Sequence, residues 1–150
     1  MRTPITFHVS GKPQPAGSKR AFVIKKGGAY TGRAIVTDAN PNAKDWKIDV
    51  QHAARDAFKD DVLDCPIRLV LHFTVARPKH HYGSGKNASV LKLGAPAYPT
   101  GKPDVLKLAR GVEDALTGLA WVDDAQIVIE HLTKRYGTPG VEVEIHEVAQ

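Results

Sequence analysis

One stretch constrains the fold more than any other: Pro103 to Gln126, PDVLKLARGVEDALTGLAWVDDAQ. At about 100° per residue, Val105, Leu108, Ala109, Val112, Ala115 and Leu116 fall on one side, the pattern of a helix with one buried face. Lys107, Arg110, Glu113, Asp114 and Thr117 take the other side, and Leu106 is the one apolar residue among them. Pro103 suits a first helical position, Asp104 faces the positive end of the helix dipole, and Gly118 stands where a C-terminal glycine is expected. Beyond the turn come Asp123 and Asp124. Two groups of carboxylates separated in sequence by one helix are thus placed so that they could converge at the end of that helix.

The rest of the chain supplies strands around this helix. Ile5, Phe7 and Val9 alternate with polar residues, as do Ile67 to Val75, the clearest strand. Ala21–Lys26 reads as a strand ending in a Gly27-Gly28 turn, with a short extended piece near Ala34–Thr37. Asn40-Pro41 reads as a helix cap and first position, followed by Trp46, Val50, Ala53 and Ala57 at helical spacing. Ile127–Tyr136 and Val141–Val148 read as two strands joined by Gly137–Gly140. Residues 78–102 carry no sustained period and are expected to form a long, mobile, substrate-facing loop. Strands, helix, strand, helix, strands predicts one α+β domain over residues 1–150, with a mixed sheet and two main helices packed on it.

Charge narrows the partner. The net charge is +5, and residues 1–37 hold seven Lys/Arg with no acid, residues 65–103 six with none. Basic stretches beside acidic positions suit a polyanionic substrate. A merely basic soluble protein, or an interaction module for acidic partners, is the alternative on charge alone. One cysteine, Cys65, allows no intrachain disulfide and no Cys-rich zinc site. The start MRTPITFHVSG is too short and polar for a secretory signal, and no apolar run is long enough for a membrane span, so a cytoplasmic protein is expected. The histidines have no metal spacing, and no phosphate loop, dinucleotide fingerprint or Ser/His/Asp set is present.

On their own, Asp104 reads as a dipole-compensating acid, Asp124 as a turn residue, and Arg110 as a partner for Asp114 four residues on. The motifs say more. KPDVLKLARGVEDALTG followed by WVDDAQIV resembles the RusA family of Holliday-junction resolvases, whose pattern runs K-P-D-x-D-N-L-x-K, D-A-L and W-x-D-D-x-Q. The stretch FHVSGKPQPAGSKRAF is similar to the family's opening strand and basic loop. The resemblance implies a Mg²⁺-dependent endodeoxyribonuclease that nicks four-way DNA junctions symmetrically as a homodimer, in bacterial or phage recombination, repair or DNA processing. It implies Asp104 and Asp124 as magnesium ligands brought into one shared pocket, with Asp123 second to Asp124, and Arg110 as the helix base that stabilises phosphate charge. Lys12, Lys19, Arg20, Lys102 and Lys107 are the expected phosphate contacts. Leu106 occupies the family's second helix-acid position and Lys107 its usual asparagine. Three outcomes fit Leu106: a metal held by Asp104, Asp124 and water alone, substitution by another acid, or a branched-DNA-binding protein without cleavage.

Overall fold

The structure is a computed structural model describing residues 3–16, 19–38, 40–59 and 62–150, with side chains at 19–22, 24 and 34–38 outside the description. The strands are β1 (Ile5–Ser10), β2 (Lys19–Lys26), β3 (Ala29–Asp38), β4 (Ile67–Val75), β5 (Ile127–Tyr136) and β6 (Gly140–Glu147); the helices are α1 (Ala43–Ala57) and α2 (Val105–Leu116). β1, β6, β4 and β5 form a mixed sheet in that order, whereas β2 and β3 pair only with each other. This is the expected α+β class. The extended piece near residue 34 is the far half of β3, so the hairpin stands apart from the main sheet.

β4 is central. It pairs antiparallel with β6 and parallel with β5, Leu71 lying opposite both Val143 and Leu132. A parallel neighbour needs a crossover, and residues 76–126, including α2, provide it. Ile67, Leu69, Leu71 and Phe73 are fully buried on one face of β4. They join Val141, Val143 and Ile145 of β6, Trp46, Val50 and Ala54 of α1, and the apolar stripe of α2 in a single core. The stripe lies as its spacing predicts: Leu108, Ala109, Val112, Ala115 and Leu116 are buried. Burying each large apolar side chain contributes about 1.5–3 kcal/mol, enough for this face alone to fix the rotation of α2.

Both helix starts differ from expectation by a few residues. α1 begins at Ala43 with Asn42 at its cap. Asn40 is spent elsewhere, its amide donating to Gln14 Oε1 and the Pro15 carbonyl while its Oδ1 accepts from the Asn42 N–H. For α2 the cap is Asp104 itself, and Pro103 precedes it through a cis peptide bond. Gly118, at φ +86°, ends α2 in the left-handed conformation that glycine adopts without strain. Residues 78–102 are not featureless. Two 3₁₀ turns, Lys79–His81 and Gly85–Asn87, and a Tyr82–Leu91 bridge give the segment its own hydrogen bonding.

The basic loop after β1 is locked onto α2. The Ala16 N–H donates to the Lys107 carbonyl at 3.0 Å. Gly111 makes this possible, because a Cβ there would stand 2.9 Å from the Gln14 carbonyl oxygen. Among the described residues, no helix is long and apolar enough to cross a membrane.

Candidate active site

Each acid of interest is held by backbone geometry. Asp104 caps α2, its Oδ2 accepting from the Lys107 N–H at 3.2 Å and its Oδ1 lying 3.6 Å from Lys107 Nζ. Lys107, an expected phosphate contact, is thus the ion-pair partner of Asp104. At the other end, the fully buried Trp121 anchors the turn, donating from Nε1 to Thr117 Oγ1 at 3.1 Å. The next turn is a capping box. Asp123 Oδ1 accepts from the Ala125 N–H, and Gln126 Oε1 accepts from the N–H groups of Val122 and Asp123, all at 2.9 Å. Gln126 Nε2 donates in turn to the carbonyls of Leu63 and Cys65. Asp123 Oδ1 is therefore held by the backbone, while Asp124, first in the 3₁₀ turn Asp124–Gln126, is exposed.

Sequence reasoning missed the acids that gather around Asp124. A side-chain hydrogen bond to Asp123, partial desolvation, and the charges of Asp123 and Asp114 push the Asp124 pKa above the ordinary carboxylate range, against a lowering hydrogen bond from the Ala125 backbone. Glu113, half-buried on α2, is pushed up to about 8. Burial is the largest cause, then a hydrogen bond with Glu130 of β5 and its charge, then the charges of Asp124 and Asp114. Crowded carboxylates cannot all ionise freely, so Glu113 holds its proton through neutral pH beside Glu130. The signal in the sequence was faint. Glu113 and Asp114 sit on the polar face of α2, but nothing in the spacing shows that Glu130 meets them.

Asp104 is not part of this group. It lines a cavity of about 300 Å³ with Lys102, Leu132 and Lys134 at the opposite end of α2. Twelve helical residues rise about 18 Å, so one chain holds Asp104 and Asp124 near the two ends of α2 rather than in one pocket. Leu106 is 66% exposed one turn from the cap. Arg110 is exposed on the same side, and among the described residues it forms no ion pair with Asp114. No group of three or more His, Cys, Asp or Glu among the described residues is arranged to hold a metal ion. A magnesium site complete within one chain therefore does not fit these residues.

The basic residues divide similarly. Lys12 and Lys102 line one cavity of about 410 Å³ together with Lys134. Lys134, which the sequence did not single out, donates to the carbonyls of Gly101 and Pro103 and so ties β5 to the start of α2. The side chains of Lys19 and Arg20 lie outside the described residues, although the backbone of both opens β2.

The family model for endodeoxyribonuclease RusA matches residues 12–146. The chain belongs to the RusA family. RusA proteins are endodeoxyribonucleases that act on branched DNA junctions. The chain is also 31% identical over 146 residues to the uncharacterized protein YqaN of Bacillus subtilis (strain 168), spanning 97% of each. The RusA match takes in the basic loop, α2, the capped Asp pair and three strands of the main sheet. Glu113, Asp114 and Glu130, the acids around Asp124, also lie within it.

Proposed function

We propose that this chain is a Mg²⁺-dependent, structure-selective endodeoxyribonuclease that resolves four-way junctions by paired nicks, working as a homodimer in recombination, repair or phage DNA processing. The observation carrying the proposal is the exposed Asp124, fixed by the Asp123–Gln126 capping box in the middle of an acidic group, within a chain matching RusA almost throughout. Lys12, Lys102 and Lys134 are the phosphate contacts, and Lys19 and Arg20 at the start of β2 are assigned the same role. Arg110, exposed on the polar face of α2, stabilises charge on the phosphate; a guanidinium stays protonated and so acts electrostatically rather than as an acid.

The dimer reconciles the two separated acids. β5 is an edge of the main sheet, and its Val128 and Ile129 are 58% and 48% exposed. A bare edge with apolar side chains is a ready template for another strand. Antiparallel self-pairing of β5 centred on Leu132 sets Glu130 of one copy opposite Lys134 of the other. Lys134 lies beside Pro103 and hence Asp104, while Glu130 lies beside Glu113 and hence Asp124. Asp104 of each copy then meets the acidic group of the other. Magnesium, when bound, supplies charge neutralisation and an activated water; Asp104 and Asp124 are its assigned carboxylates, with Asp123 holding Asp124 in place.

The test is cleavage of a labelled synthetic junction in the presence of Mg²⁺. Asp104→Asn and Asp124→Asn each abolish nicking and leave junction binding intact. Mixing the two variants restores one intact site per mixed dimer, and single unpaired nicks reappear. A mixture that stays inactive while either variant alone binds DNA refutes the shared site. The exposed Leu106, in place of an acid, favours one other reading, a junction-binding protein without cleavage. A gel shift with no nicks from the wild type at any Mg²⁺ concentration establishes it.

A further inference from the structure

A second constellation lies at the far end of β5, about nine strand residues, or roughly 30 Å, from Asp124. The Arg77 guanidinium stacks over the Tyr136 ring at 4.2 Å from its centroid. Arg77 Nη1 donates to the Pro96 carbonyl at 2.6 Å, which fixes the guanidinium plane. His81 meets the Tyr136 ring edge-on at 5.6 Å, and His80 meets His81 at 4.6 Å. Burial and the positive charges of His80, Arg77 and Lys92 hold the His81 pKa below its ordinary value, so cationic groups converge here from several parts of the chain. Arg77, Tyr82, Tyr136 and Thr138 line a cavity of about 410 Å³. Tyr82 is held in place by its bridge to Leu91 and by the hydrogen bond from the Gly83 N–H to the Val90 carbonyl.

Tyr136 also lines the neighbouring cavity that holds Lys12, Lys102 and Lys134. An aromatic and guanidinium platform beside a row of lysines is the arrangement that binds an unstacked base together with its flanking phosphates. We infer that the Arg77–Tyr82–Tyr136 cavity is a binding site for an unpaired nucleobase of branched or single-stranded DNA. The lysine cavity takes the adjoining phosphates, so the site rests on the reading of the chain as a DNA-binding protein. It does not depend on cleavage. The site gives the protein a means of telling a branch point, where bases unstack, from a continuous duplex, where they do not. Both platform residues are pre-set by contacts already made, so little ordering cost falls on binding.

The experiment uses the full chain and DNA carrying one 2-aminopurine, either unpaired within a duplex or fully paired in the same sequence. The unpaired probe is expected to be quenched on binding and held about ten-fold tighter than the paired one. Tyr136→Leu and Tyr82→Ala abolish the quench and the preference. Tyr136→Phe keeps both, since it retains the ring. Tyr82→Ala leaves affinity for fully paired duplex unchanged, which shows that the variant is folded. Equal affinity of the wild type for the two probes without quenching, or a quench that survives Tyr136→Leu, overturns the nucleobase site while leaving the duplex-binding reading standing. Failure to bind either probe overturns both.

Discussion

The raised Glu113 pKa makes stability itself a readout of the acidic group. Glu113 ordinarily titrates near 4.5 and is pushed up to about 8 in the folded chain. The folded form therefore holds this proton more tightly than the unfolded form. The resulting stability is fully present below about pH 4.5 and is lost as pH rises through about 8. For a wholly buried group a rise of this size would correspond to about 5 kcal/mol. Glu113 is only half-buried, so water screens its charge, and about 1–2 kcal/mol is the expected loss. For a chain of this length that corresponds to a fall of about 2–8 °C in Tm. The perturbation is Glu113→Gln, which keeps the hydrogen bond to Glu130 and removes the charge. Thermal unfolding followed by circular dichroism, in chelator, from pH 5 to pH 9 should show the wild type losing this increment. The variant should stay flat with respect to it and be the more stable protein at pH 9. Glu130→Gln should act in the same direction by relieving the facing charge. A wild type whose Tm runs parallel to that of Glu113→Gln across the range refutes the crowding of these carboxylates.

Two further substitutions test the scaffold. Gln126→Ala removes four hydrogen bonds, to Val122, Asp123, Leu63 and Cys65, and should cost about 2–4 kcal/mol in urea unfolding. It should also lower nicking more than junction binding, because the turn that presents Asp124 loosens. Gly111→Ala, which would raise helix propensity on an exposed helix, should instead destabilise by about 1–3 kcal/mol, since its Cβ meets the Gln14 backbone. A more stable Gly111→Ala protein would show that the basic loop does not pack on α2 as described.

How much of this was legible follows from which interactions are local. The apolar stripe of α2 and the Gly118 stop are properties of neighbouring residues and were read correctly. So were the alternation of β4 and the limits of β5, to within a residue. The helix starts were misread because Asn40 and Pro103 carry the right chemistry at the wrong place: Asn40 is drawn off by Gln14 and Pro15, on the far side of the β2–β3 hairpin in sequence. The division of strands into two sheets, and the company kept by Asp124, depend on pairings that no local pattern encodes. The topology does determine them. β5 lies parallel to β4, so the helix between them must run back against both strands. The end of α2 is thereby placed beside the start of β5, and its start beside the end of β5. That one directional fact puts Glu130 next to Glu113, giving crowded carboxylates at one end. It puts Lys134 next to Pro103, giving a cation beside the Asp104 cap at the other. Were β5 reversed, the lysine would neutralise Glu113 and the glutamate would crowd Asp104. The acidic and basic ends of α2 are therefore set by strand direction, which the motifs that led Asp104 and Asp124 to be expected in one pocket do not encode.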